Sequence, residues 1–145
     1  MLTLILLPLM IGLFGLAVDS AKGIYARSQV SGNLQSSAVA GVSQVTSNGK
    51  INAANAKAEF IALYDMNRAN YGKNLRCAKS SDLNAGETLQ GNTSCKWILV
   101  SYSVSSNGQV LTAKIREYTP NHWMRGLGFK EFPITVTTSA KISQN

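Results

Sequence analysis

The first eighteen residues, MLTLILLPLMIGLFGLAV (Met1–Val18), carry no charge, and Asp19, Lys22 and Arg27 follow at once. As a helix this stretch runs about 27 Å at ~1.5 Å per residue, close to the thickness of a bilayer's hydrocarbon core. Water does not tolerate such a surface. Lipid must cover it, cleavage must remove it, or a partner's apolar face must pack on it.

A secretory signal peptide needs a positively charged start and a small-residue cleavage site. Here the start has neither Lys nor Arg, and helical spacing of apolar residues continues through the junction. A retained anchor or packing helix is therefore the expectation. The alternative is a secreted binding module, released by cleavage, whose aromatic segment Tyr118–Phe132 contacts a ligand.

Beyond the apolar stretch roughly 125 residues remain, enough for one modest domain with a single core. Net charge is +7, of which +2 lies in the first fifty residues. The basic residues are scattered, with Asp65, Asp82, Glu87, Glu117 and Glu131 between them. A spread of this kind attracts anionic surfaces in general, and no dedicated nucleic-acid site is expected. Cys77 and Cys95 lie in a Gly/Asn/Ser/Thr-rich stretch behind an export or anchor segment, which favours a disulfide and an oxidising compartment. Two thiols and the lone His122 are too few for a zinc site.

Helical periodicity continues past Val18. Ala17, Ala21, Ile24, Leu34, Ala38, Val42 and Val45 fall three or four apart, or multiples of that, and Asn48–Gly49 reads as the stop. Pro8 predicts a kink near Leu4–Pro8, while Gly12 and Gly15 leave a notch for another helix. Gly23, Gly32 and Gly41 each cost about 1 kcal/mol relative to Ala, so the helix needs packing to persist. A second helix is expected over about 52–70, with Ala56, Phe60, Leu63, Tyr64 and Tyr71 as its apolar stripe and Gly72 as its terminator. Residues 72–96 read as a disulfide-closed loop. The period then switches to two in WILVSYSVS and QVLTAKIREY, joined by Asn107–Gly108, which predicts a hairpin over 97–118. An irregular aromatic segment with His122, Trp123, Phe129 and Phe132 precedes a last strand at about 134–142. The expected class is α+β: a long N-terminal helix, one further helix and a small antiparallel sheet. The expected divisions are 1–18, a membrane or filament-core half-helix; 19–48, its continuation; and 50–145, a globular domain.

A search for reaction chemistry returns little. No GxSxG, glycine-rich phosphate loop, HExxH or CxxCH occurs, and nothing in the spacing pairs Glu117 with Glu131 as acid and base. Neither catalysis nor a cofactor is expected. Asp19 stands apart, because a carboxylate directly after eighteen apolar residues needs the interface or a cation. Lys22, at i+3, is the simplest partner. The other reading is an intermolecular pair with a neighbour's Lys22 or Arg27, or with a free N-terminus.

The run Leu6–Gly41 resembles the N-terminal segment of TadE/TadG-like proteins of the tight-adherence (Flp, type IVc) pilus system. The likeness rests on Pro8 within the apolar stretch, the Gly15–Asp19 junction, Tyr25 with Arg27, and Leu34–Gln35 before small residues. It implies a pilin-like protein anchored in the bacterial inner membrane by its first helix, with a periplasmic domain. Its partners would be copies of itself, other pilins and the pilus assembly machinery, and its destination an extracellular filament serving adhesion. Pro8, Gly12, Gly15, Asp19, Lys22 and Arg27 would then be packing and assembly positions, with Gly23, Ala38 and Ala40 also allowing close helix approach. Ile5 stands where processed type IV pilins carry a glutamate, which argues against assembly by that charge pair. A membrane-anchored assembly factor is the alternative within the same family.

Overall fold

The computed structural model describes residues 2–91 and 95–142, with side chains from Ile5 onward. Met1 and residues 92–94 of the expected loop lie outside the described residues. Helix α1 spans Leu2–Val42 without interruption, Pro8 included. Helix α2 spans Ala53–Tyr71, and its Asn52 side chain caps the first turn by accepting from Asn55 N–H. Four strands follow: β1 Thr88–Gln90, β2 Trp97–Val104, β3 Val110–Pro120 and β4 Glu131–Lys141. They form one antiparallel sheet in the order β1-β2-β3-β4. The fold is α+β, with both helices on one face of the sheet.

The sequence makes this arrangement by alternation on β3. Leu111, Ala113, Ile115, Glu117 and Thr119 are buried beneath the helices, while the intervening residues point to the opposite face. From α1, Ala26, Val30, Leu34, Ala38 and Val42 descend into the same core at four-residue intervals. Phe60, Tyr64 and Trp97 fill the remaining space, with the Tyr64 and Trp97 ring centroids 4.5 Å apart. Gly41 marks the tightest crossing: a Cβ there would sit 2.9 Å from Leu111 and 3.2 Å from the Ala56 carbonyl. The second half of α1 is thus a core element, and burial offsets the poor helix propensity of its glycines and serines.

Several expectations shift. The buried line on α1 runs through Ala26 and Val30, whereas Ala17, Ala21 and Ile24 lie outside, Ile24 71% exposed. Leu34, Ala38 and Val42 of the expected line are in the core, but apolar residues occur all round the earlier part of the helix, so there spacing alone chose the wrong face. The helix ends at Val42; Asn48–Gly49 instead forms a tight turn, Gly49 at φ +68°, that joins a bridge between Val45 and Ile51. Helix α2 ends at Tyr71 with Gly72 as its cap, as expected, and the chain passes on into a 3-10 turn, Gly72–Asn74. The expected loop 72–96 contains β1 and a second 3-10 turn, Ser80–Asp82; three residues are too few to show a period. The last strand starts at Glu131, ahead of Pro133, which pairs with Tyr118. Proline is tolerated there because β4 is an edge strand.

Candidate functional site

The residues of interest lie where α1 leaves the domain. Asp19 is 2% exposed. Its Oδ2 accepts from the backbone N–H groups of Trp123 (3.0 Å) and Met124 (2.9 Å), and Oδ1 accepts from that of His122 (3.3 Å). These amides open the 3-10 turn Met124–Leu127, whose first N–H groups have no partner within the turn. The carboxylate therefore caps, from α1, a turn about a hundred residues downstream. Burial acts to raise the Asp19 pKa, but the three amides outweigh it and hold the carboxyl below its ordinary value. The expected pairing within the helix is not formed: among the described residues Asp19 makes no ion pair with Lys22, whose influence is electrostatic and minor.

One turn nearer the N-terminus, Gly15 gives the same segment room. A Cβ on Gly15 would meet Trp123 Cβ at 2.9 Å. The Gly15 notch thus serves an intramolecular contact. Gly12 has nothing within 4 Å of its would-be Cβ, so its notch faces outward, as does that of Gly23. Lys22 and Arg27 are exposed, and Ala38 is buried in the core. Pro8 lies in the projecting part of α1, among exposed apolar side chains from Ile5 to Val18. From Ile5 to Val42, α1 is long and apolar enough to cross a membrane. Trp123 (57% exposed), Leu127 (73%) and Phe129 (55%) form an apolar foot beside this boundary.

A second group of contacts braces the domain. Cys77 and Cys95 form a disulfide. Arg68, on α2, donates from Nη1 to the Cys95 carbonyl (3.0 Å), and from Nε and Nη2 to the Glu117 carboxylate (2.6 and 3.0 Å). Tyr64 O–H also donates to Glu117, at 3.1 Å. Glu117 is fully buried; burial pushes its carboxyl up while Arg68 opposes that shift. Glu131 is elsewhere, paired with Arg76, which also holds Asp82 (2.8 Å) and lies 4.3 Å from the centre of the Tyr118 ring. The two glutamates thus belong to separate ion pairs, and this geometry clamps the disulfide loop onto both faces of the sheet. The Arg68–Glu117 pair joins α2 to β3 across 49 positions, and no local pattern announces it.

No group of three or more His, Cys, Asp or Glu suited to a metal ion occurs among the described residues. What the site can do is mechanical: it fixes an apolar rod to a compact domain at the point where the rod becomes polar. Comparison with family models, curated proteins and solved structures finds no significant match, so the TadE/TadG-like resemblance rests on Leu6–Gly41 itself.

Proposed function

We propose that this chain is a pilin-like structural subunit, anchored in the bacterial inner membrane by the first part of α1 and packed through that part into a filament core. The observation that carries the reading is the contrast along α1. From Gly15 onward one line of the helix is buried in the domain, while Ile5, Leu6, Leu7, Leu9, Met10, Ile11, Leu13 and Phe14 are all exposed in the single chain. That surface is far larger than a soluble monomer leaves uncovered, and lipid or sister helices can bury it equally well. The disulfide fits a domain on the oxidising side of the membrane, and the small polar residues suit a surface that meets other proteins. The function is structural and calls for neither catalysis nor a cofactor.

The apolar foot favours a second reading, an anchored assembly factor whose domain rests on the bilayer, since exposed Trp and Phe settle at the membrane interface. Fractionation and electron microscopy separate the two. The subunit reading expects the chain in membranes and also in sheared surface filaments, with cysteine pairs placed at Gly12 cross-linking neighbouring copies. Its confinement to membranes, with no filament containing it, gives the assembly-factor reading. Recovery of a soluble fragment starting near Lys22 as the native form refutes both.

A further inference from the structure

Between α1 and the end of β3 lies a cavity of about 340 Å³, a size that takes a small ligand or a headgroup. Its wall includes Lys22 and Tyr25 of α1, Tyr71 and Lys73 after α2, and Thr119 and His122 at the sheet's lower end. Among the described residues no Asp or Glu lines it. The nearby Asp19 carboxylate is turned to the amides of residues 122–124. Thr119 is the telling residue: it is 4% exposed, and its Oγ1 has no hydrogen-bond partner among the described residues. A buried hydroxyl left in that state is costly unless something in the cavity accepts its proton. Tyr25 has a donor to spare as well, because its oxygen accepts from Gln29 Nε2 at 2.8 Å. Two ammonium groups and two hydroxyl donors around one cavity match a phosphate oxygen cluster.

Position decides the source of the phosphate. Lys22 lies four residues past Val18, about 6 Å along the helix, within the headgroup layer of about 5–7 Å on each side of the core. We propose that this cavity binds the phosphodiester headgroup of an anionic phospholipid, its acyl chains lying along the exposed apolar side of α1. The inference rests on the membrane-anchor reading. Lys22 and Lys73 supply the charge, Thr119 the buried donor, and His122 closes the side nearest the membrane.

The test uses the full chain and vesicles of phosphatidylcholine with or without phosphatidylglycerol, read by flotation and by titration of binding. Lys22→Gln with Lys73→Gln should reduce the preference for phosphatidylglycerol by about five-fold per lysine. Lys50→Gln with Lys57→Gln, at the far end of α1, removes the same charge and should leave the preference within two-fold. Thr119→Val, which keeps the shape and the net charge, should weaken the preference by about ten-fold without lowering the unfolding temperature. Flotation with no phosphatidylglycerol preference, or a preference indifferent to Thr119→Val, overturns the proposal and leaves the anchor standing. Equal competition by inorganic phosphate or glycerol 1-phosphate overturns the lipid assignment. Self-association lost in the Lys22/Lys73 variant with lipid preference intact assigns the cavity to a second copy, and so overturns it too. Failure to float with any vesicle sinks the anchor reading and this proposal together.

Discussion

Glu117→Gln is the sharpest probe of what holds the domain together. The substitution keeps size and shape but removes the charge that faces Arg68. In the native chain Glu117 accepts three hydrogen bonds, two of them from a guanidinium that is 4% exposed. The amide retains one accepting oxygen and turns an NH2 toward Arg68, so a buried cation loses its counter-charge. Breaking such a pair from one side costs about 3–5 kcal/mol, against a total stability of about 5–15 kcal/mol for a domain of this size. The unfolding temperature should fall by about 10–20 °C, measured by circular dichroism of the full chain in detergent micelles. Removing both charges, with Glu117→Leu and Arg68→Met, should recover much of the loss. It leaves only the Tyr64 hydroxyl and the Cys95 carbonyl without these partners, at about 1–3 kcal/mol. A Glu117→Gln protein melting within about 3 °C of the parent, or a double variant worse than the single one, would refute the reasoning.

Three further predictions follow from the boundary and the loop. Gly15→Leu should displace Trp123, red-shift its fluorescence and cost about 1–3 kcal/mol by overpacking, whereas Gly12→Leu should leave folding unchanged and reduce only cross-linking between copies. The Asp19 carboxyl has its folded pKa held below 3.8, so its contact contributes stability above that ordinary value and loses it as pH falls through the lower folded value. Protection of the amides of residues 122–124 against exchange, taken relative to each amide's intrinsic rate at that pH, should accordingly fall in acid, and Asp19→Asn should abolish that pH response. Replacing both Cys77 and Cys95 by Ser should cost about 3 kcal/mol through loop-closure entropy, read as a lower denaturant midpoint; an unchanged midpoint would mean that the ion pairs of Arg76 with Asp82 and Glu131 already hold the loop.

The parts of the fold legible in the sequence are those fixed by local pattern. The hairpin is visible because alternation of apolar residues and the Asn107–Gly108 pair act over a few positions, and α2 is visible because Phe60 and Tyr64 share one face. The last strand is read three residues late because a proline suggests a start, when an edge position lets it sit inside. On α1 the rule finds Leu34, Ala38 and Val42 but fails, more instructively, at Ala17, Ala21 and Ile24. A helix that must satisfy lipid and a domain core at once carries apolar residues all round, so periodicity loses its contrast. The buried face is then marked by its smaller members, Gly15, Ala26, Ala38 and Gly41, together with Val30 and Leu34. The boundary site is legible in half. Asp19 draws notice because a carboxylate there is costly, but its partners are backbone amides, which every residue possesses and no sequence pattern distinguishes. Thr119 gives no signal at all, since its interest comes only from lacking a partner.

The buried line on α1 also determines how the molecule answers force. Tension applied to the projecting tip travels down the helix axis into a file of side chains from Gly15 to Val42, which share the strain along their length as layers do when slid across one another. Detachment by unzipping from one end would need far less effort, but the Asp19 latch closes the end where unzipping would begin. A tether built in this manner hands traction to the sheet as a unit, so the body follows its stem without swivelling.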